Sequence, residues 1–90
     1  MARLTEAEID SRLRRLPGWE RRGDEIRRTF SFSDFAGSLA FVNRVGALAE
    51  AMNHHPDVDI RYSKVTLALT THDAGGLTPN DFDLAEKIGG

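Results

Sequence analysis

Apolar residues recur every three or four positions in three segments of the chain, a spacing that predicts amphipathic helices. Thr5 and Glu8 form a capping box before the first segment. Thr78 precedes the last segment, and Pro79 at its first position suits a helix N-terminus. The predicted helices span residues 6–16, 34–53 and 79–88, with Ser33 as the expected N-cap of the second.

Between these helices, apolar and polar residues alternate with a period of two, the pattern of half-buried strands. Gly23-Asp24 and Ser63-Lys64 supply the turns of two hairpins. Trp19 and Phe30 are the expected core residues of the first hairpin. The strands are predicted near residues 19–22, 26–32, 58–62 and 65–71.

The resulting order of elements is helix, two strands, helix, two strands, helix, which predicts an α+β fold. Strands joined by short turns pair antiparallel, so we expect a four-stranded antiparallel sheet with three helices on one face. A chain of 90 residues has the size of one domain, and we expect that domain to span residues 1–90.

The predicted helix 34–53 differs from an ordinary surface helix because it is almost uncharged. Its larger apolar residues cover about half of the helical circumference, and much of the remainder is alanine and glycine. Asp34, Arg44 and Glu50 are its charged residues. An alanine-rich exposed face would explain the pattern, but we favour a contact with the same helix of another subunit. The sequence therefore predicts a homo-oligomer.

Composition and charge narrow the classes of function. A net charge of −2 gives no electrostatic footprint for nucleic acid, and we interpret the seven arginines between positions 12 and 28 as solvated. The chain has no cysteine, which excludes disulfides and thiolate metal sites. Its first residues do not resemble a signal peptide, and no run reaches membrane-spanning length. We therefore expect a cytoplasmic protein without membrane contact.

All three histidines of the chain lie between positions 54 and 72. Histidine exchanges a proton readily near neutral pH, so this window is the candidate site. Pro56 disfavours a helical conformation at His55, and the second helix should therefore end near His54. Glu50 would share a helix face with His54, and the carboxylate and the helix C-terminus would both favour its imidazolium form. A polar helix stop is the alternative interpretation of these residues.

Five side chains form the candidate constellation, and three interpretations of them are open. Histidines and carboxylates suit zinc or iron, although adjacent histidines rarely bind one ion together. Two histidines can instead serve as base and acid on one substrate without a metal. The third interpretation is structural, because Asp81 could close a capping box with Thr78. The five are Glu50, His54, His55, His72 and Asp81.

The spacing of these residues closely resembles the signature of the pterin-4a-carbinolamine dehydratases. The matching residues are Glu50, His54-His55-Pro56, Tyr62, His72 and Asp81. The segment 72–78 and Trp19 after Pro17-Gly18 are also similar to that family, so the resemblance covers nearly the whole chain. It implies a four-stranded antiparallel sheet with three helices on one side. It also implies a homodimer or homotetramer, whose contact we place at helix 34–53.

The resemblance implies an activity, the dehydration of 4a-hydroxytetrahydropterin to quinonoid dihydropterin. This reaction recycles the pterin cofactor of aromatic amino-acid hydroxylases. The pterin is the substrate, and histidine acid–base catalysis would need neither a metal nor an organic cofactor. The resemblance implies that the pterin pocket is lined by His54, His55 and His72 and supported by Glu50, Pro56 and Asp81.

Within that pocket we expect His54 nearest the departing hydroxyl, His72 as its acid–base partner and His55 orienting the pterin. Family members often carry a tryptophan two residues after the proline, where this chain has Val58. An aromatic wall against the flat pterin is therefore missing at this position. The alternative function is non-enzymatic, because relatives of this fold serve as transcription-factor dimerisation partners or assembly factors. Retention of all three histidines favours the enzyme.

Overall fold

The computed structural model of the chain describes residues 2–89. It has the element order α-β-β-α-β-β-α, so the predicted α+β fold is confirmed. A short 3-10 turn, His72–Ala74, lies between the last strand and the last helix. The elements are α1 (Glu6–Leu13), β1 (Glu20–Arg22), β2 (Glu25–Ser31), α2 (Phe35–Met52), β3 (Asp57–Arg61), β4 (Lys64–Leu69) and α3 (Pro79–Ile88).

The four strands form one antiparallel sheet in the order β1-β2-β4-β3. Strand β4 is central, with Val65 opposite both Phe30 of β2 and Ile60 of β3. Side chains of directly paired residues lie on the same face of the sheet. On one face, Val65, Leu67 and Leu69 are wholly buried. The opposite face carries polar pairs such as Thr29 and Thr66, whose hydroxyl oxygens lie 2.8 Å apart.

All three helices contribute side chains to the same core as the buried sheet face, which places them together on one side of the sheet. From α1 comes Ile9, and from α2 come Phe41, Val45 and Ala49. The core also contains Leu84, Ala85 and Ile88 of α3 and Trp19 before β1. The Trp19 ring meets the half-buried Phe30 edge-on, with centroids 6.1 Å apart, as expected for the first hairpin.

Helix α1 ends earlier than its apolar pattern predicted, at Leu13 instead of Leu16. The chain continues through two bonds between residues three apart, from the Arg15 and Leu16 N–H groups to Arg12 and Leu13 carbonyls. Pro17 disfavours a helical conformation at Leu16, and the loosened turn still buries that side chain. The predicted capping box is confirmed, since Thr5 and Glu8 exchange backbone-to-side-chain bonds of 2.8 and 3.2 Å.

Two local predictions were wrong by one residue. The N-cap of α2 is Asp34 instead of Ser33, because the Asp34 carboxylate accepts the Gly37 N–H at 2.8 Å. A charged cap interacts more favourably with the positive end of a helix than a hydroxyl does. The second hairpin turns at residues 62–63, where Tyr62 has a φ of 51 degrees. Pairing of Arg61 with Lys64 leaves that two-residue loop.

Candidate active site

The candidate site lies where the C-terminus of α2, the start of β3 and the N-terminus of α3 meet. Helix α2 ends in a left-handed residue, Asn53, with φ 50 and ψ 44 degrees. The Asn53 N–H donates to the Glu50 carbonyl at 3.2 Å, and the His54 N–H donates to the Ala49 carbonyl at 3.0 Å. This pair of bonds is a Schellman motif, which reverses the chain at a helix end.

Because of this reversal, the expected contact between Glu50 and His54 is wrong. We expected both on one helix face, but the helix ends at Met52 and His54 lies beyond the left-handed residue. The Glu50 carboxylate contacts the Nε2 atom of His55 instead. Each adjacent histidine therefore faces a different carboxylate.

His54 pairs with Asp81, 27 positions away in the sequence. The His54 Nε2 atom lies 2.6 Å from Asp81 Oδ1. The His54 side chain is 11% exposed and the Asp81 side chain is wholly buried. A buried charge requires hydrogen-bonded partners, so this contact belongs to the interior of the molecule.

His55 and Glu50 form a second pair with the opposite exposure. Their side chains are 54% and 77% exposed, respectively. Exposed ion pairs contribute about 0–1 kcal/mol to stability. The Glu50–His55 pair is therefore accessible to a ligand but adds little to the fold.

Asp81 also has the structural role that its position after Thr78 predicted. The Thr78 N–H donates to Asp81 Oδ2 at 3.0 Å, which caps helix α3. The same oxygen accepts the Thr71 hydroxyl at 2.9 Å. The Thr71 and Thr78 hydroxyl oxygens lie 2.8 Å apart. One buried carboxylate thus joins a helix cap, a threonine pair and His54.

The hydrogen-bond chemistry of this cluster assigns the nitrogens of His54. A carboxylate only accepts hydrogen bonds, so His54 Nε2 carries the proton in its contact with Asp81. Nδ1 is then the nitrogen that can exchange a proton with a ligand. In the Ser-His-Asp triad a buried carboxylate likewise binds one N–H of a histidine and fixes its tautomer, although there the bound nitrogen is Nδ1 instead of Nε2.

His72 belongs to neither pair and lies at the start of the 3-10 turn after β4. Its side chain is exposed, and its ring makes no hydrogen bond to any of residues 2–89. It lines a surface groove of about 320 Å³ together with Arg22, Asp24, Glu25, Thr70, Gly75 and Gly76. A separate groove of about 520 Å³, lined by Met52, Asp83, Glu86 and Lys87, contains no histidine. The candidate site is therefore defined by the histidines and not by the larger groove.

Thr71 and the hydroxyl of Thr78 were not identified from the sequence as parts of the site. Thr78 was assigned only as a helix cap, and Thr71 only as a strand end. The available signal was their position, since Thr71 directly precedes His72 and Thr78 lies three residues before Asp81. Threonine is too common at strand ends and helix starts for that signal to identify a site residue.

The metal interpretation requires several ligand side chains close together. Among residues 2–89, no three histidine, aspartate or glutamate side chains are grouped as a metal-binding set. The His54–Asp81 and His55–Glu50 contacts are two separate pairs. Within the same range, no helix combines the length and apolarity needed to cross a membrane.

Comparison with known sequences gives a consistent result. A family model described as pterin 4 alpha carbinolamine dehydratase matches residues 2–90. A protein of Roseiflexus sp. (strain RS-1) is 62% identical over 86 residues, covering 96% of this chain and 92% of that protein. A protein of Acidobacterium capsulatum is 57% identical over 88 residues, covering 98% and 96%. Both carry the name of a candidate pterin-4-alpha-carbinolamine dehydratase.

Two solved structures are similar to this chain. One, from Brucella melitensis, is described as a transcriptional coactivator/pterin dehydratase. It aligns with a TM-score of 0.91 and 36% identity, covering 96% of this chain and 94% of that one. The other is described as a pterin dehydratase-like RuBisCO assembly factor in the alpha-carboxysome. Its TM-score of 0.63 at 20% identity, over 78% and 81% of the chains, is a likeness of fold alone.

Proposed function

This chain belongs to the pterin 4 alpha carbinolamine dehydratase family, and we propose that it dehydrates 4a-hydroxytetrahydropterin to quinonoid dihydropterin and water. In this proposal the catalysis is acid–base chemistry by histidine. The product would re-enter the pterin cofactor cycle of an aromatic amino-acid hydroxylase. The reaction would take place in the cytoplasm.

The observation that carries the proposal is the His54–Asp81 pair. An imidazole held by a buried carboxylate at 2.6 Å presents its other nitrogen in a fixed orientation. Such a group is suited to deliver or accept one proton repeatedly near neutral pH. The pair gives Asp81 the supporting role that the resemblance to the family implies for it.

The reaction breaks one carbon–oxygen bond and moves two protons. Protonation of the hydroxyl at the carbinolamine carbon lets it leave as water, and loss of the proton on the ring nitrogen completes the double bond. One well-placed acid or base contributes about 10²–10⁴-fold to such a step. We assign the proton donated to the hydroxyl to Nδ1 of His54 in its imidazolium form, which leaves His54 as the neutral Nε2–H tautomer. We assign removal of the nitrogen proton to His72.

The remaining site residues have supporting functions in this proposal. His55, exposed and paired with Glu50, orients the pterin. Pro56 keeps the segment after α2 out of a helical conformation, which lets the two histidines face different carboxylates. The exposure of His72 leaves its ring free to contact a ligand. No step requires a metal or an organic cofactor.

The departure from the family pattern at Val58 concerns substrate affinity. Val58 is the second residue of the edge strand β3, just after the histidines, and it is 42% exposed on the helix-covered side of the sheet. A valine offers less contact area to a flat ring than a tryptophan would. We propose that this chain binds its pterin through the histidines more than through stacking at this position.

Assembly through α2 is part of the same proposal. Phe35 and Leu39 are 45% and 42% exposed on this helix, and Ala36, Ala40 and Ala47 are exposed beside them. A contiguous exposed apolar patch is typical of an interaction site, whereas single exposed apolar residues are normal on a surface. We propose a homodimer or homotetramer in which α2 packs against its copy in another subunit.

The second candidate function is a non-enzymatic role as a dimerisation cofactor or assembly factor. The observation that favours it is the same apolar face of α2, which could bind a different protein. The likeness to the RuBisCO assembly factor is one of fold alone and supplies no partner. Both functions could reside in one chain, because the histidines lie beyond the end of α2.

The decisive experiment is dehydration of synthetic 4a-hydroxytetrahydropterin with and without the protein. We expect His54→Ala and His72→Ala each to lower the rate at least about 10²-fold, while circular dichroism shows an intact fold. Wild-type turnover in both variants would reject the acid–base assignment. Metal analysis belongs to the same test, since stoichiometric zinc or iron lost together with activity would favour a metalloenzyme.

A further inference from the structure

We propose that Thr71 is a positioning residue that fixes both proton-transfer histidines at once. Its hydroxyl holds Asp81, and through Asp81 the imidazole of His54. Its backbone closes the loop that carries His72. The inference rests on the proposed dehydratase function for its kinetic consequence, but its structural consequence stands independently.

The first link runs from the Thr71 side chain to His54. The buried Asp81 carboxylate accepts hydrogen bonds from His54 Nε2 at 2.6 Å, Thr71 Oγ1 at 2.9 Å and the Thr78 N–H at 3.0 Å. The Thr78 N–H bond alone would fix only one oxygen of Asp81, because the carboxylate could still rotate about that bond. The Thr71 hydroxyl supplies the second donor to that oxygen and so holds the carboxylate plane against His54.

The direction of the hydrogen bonds in this network follows from counting protons. A hydroxyl has one hydrogen, and that of Thr71 is directed at Asp81 Oδ2. The contact of 2.8 Å between the Thr71 and Thr78 hydroxyls therefore requires Thr78 to be the donor. The chain of donors runs from Thr78 to Thr71 to Asp81. The Thr71 hydroxyl therefore both donates and accepts a hydrogen bond, so the side chain cannot turn away without breaking two bonds.

The second link runs from the Thr71 backbone to His72. The Thr71 N–H donates to the Gly76 carbonyl at 3.1 Å, and the Gly76 N–H donates to the Thr71 carbonyl at 3.3 Å. Within this closed loop, the Ala74 and Gly75 N–H groups also donate to the Thr71 carbonyl at 3.1 Å. Gly75 turns the loop with a φ of 72 degrees, a left-handed conformation that glycine adopts without steric cost. His72 is thereby held one residue from the anchor.

Because both links start at one residue, Thr71 sets the position of the His72 loop relative to His54. Loss of its hydroxyl would let the Asp81 carboxylate rotate about its remaining bond to the Thr78 N–H. His54 could then rotate or change tautomer, while the backbone bonds of Thr71 persist. The consequence belongs to proton transfer and not to binding, so kcat should fall and KM should stay the same.

The test compares Thr71→Val, which has nearly the same shape without a hydroxyl, with Thr71→Ser, which keeps the hydroxyl. We expect Thr71→Val to lower kcat about 10–100-fold with KM unchanged. In ¹⁵N spectra of histidine-labelled protein, His54 should lose the signature of a single Nε2–H tautomer. Thr71→Ser should restore both. The matched control is Thr29→Val, which removes a hydroxyl of the pair formed with Thr66 on the other face of the sheet.

Each outcome decides the proposal. Wild-type kcat and wild-type His54 nitrogen shifts in Thr71→Val would overturn it. If the wild-type protein does not dehydrate pterins, the proposed function fails, and the nitrogen spectra alone then decide the positioning role. If Thr71→Val does not fold, the native protein supplies the measurement. Its Thr71 hydroxyl proton should exchange slowly with water, and rapid exchange would contradict the bond to a buried carboxylate.

Discussion

At the scale of single residues, the two carboxylates near the histidines differ in what they hold. Asp81 is buried and holds His54, whereas Glu50 is exposed and holds His55. Removing one partner of a buried, hydrogen-bonded charge costs far more than removing one partner of an exposed pair. Replacement of Asp81 by asparagine should therefore impair catalysis much more than replacement of Glu50 by glutamine.

We expect Asp81→Asn to lower kcat on the order of 10²-fold or more, because an amide can donate to His54 Nε2 and favour the wrong tautomer. Glu50→Gln should change kcat less than about fivefold, in line with an exposed pair. Steady-state kinetics of the two purified variants would measure the difference. Equal losses in both would contradict the assignment of Asp81 as the partner of the donor histidine.

At the scale of elements, the N-cap of α2 offers a direct comparison between neighbouring residues. Asp34→Ala removes the side-chain bond to the Gly37 N–H and should reduce the free energy of unfolding by about 0.5–2 kcal/mol. Ser33→Ala should leave it within about 0.5 kcal/mol, as for most surface substitutions. Urea denaturation of both variants would measure this. A larger loss in Ser33→Ala would reassign the cap to the residue that the sequence pattern favoured.

The N-terminus of α1 predicts a dependence of stability on pH. The bond from the Thr5 backbone N–H, with the one from the Thr5 hydroxyl, holds the pKa of Glu8 below its ordinary value. A carboxyl group whose pKa is lowered by folding stabilises the protein above its unfolded-state pKa. That contribution disappears as the pH falls through the lowered folded-state pKa.

Thr5→Ala should therefore raise the pKa of Glu8 partway, because the backbone bond remains, and should destabilise the protein more at pH 7 than in acid. NMR titration of the side-chain carboxyls would measure the change. Glu6 is the internal control. Its pKa is lowered chiefly by a hydrogen bond from Arg21 at 2.8 Å, which the substitution does not touch. A Glu8 pKa that stays constant would contradict the role of the Thr5 hydroxyl.

At the scale of the whole molecule, the exposed face of α2 predicts a homo-oligomer. Ala40→Glu and Ala47→Glu place a charge on that face, where burial of an unpaired carboxylate is costly. Both variants should sediment as a 10.0 kDa protomer while the wild type sediments as a larger species. Ala7→Glu makes the same exchange at an exposed position of α1 and should leave assembly unchanged. A wild-type protein that is monomeric at micromolar concentration would reject the prediction.

The sequence by itself determined the features that depend on neighbouring residues. The periods of 2 and 3.6, the capping boxes at Thr5 and Thr78, and the turn residues predicted seven elements in the right order. The histidine motif with Asp81 predicted the family. Errors at this level were one to three residues at element ends. At Ser33 two neighbouring residues can both serve as N-cap, and at Leu16 the last helical turn competes with a looser turn before Pro17.

Only the tertiary structure decided which side chains meet. Glu50 and His54 have helical spacing, but the left-handed Asn53 turns the chain. As a result, Glu50 contacts His55, and His54 contacts Asp81 on another helix. Thr71 enters the site for the same reason, because the packing of α3 beside the end of β4 brings its hydroxyl to Asp81. Periodicity describes the environment of a residue within its own element. The choice of a partner 10 or 27 positions away depends on how separate elements pack, which no local pattern contains.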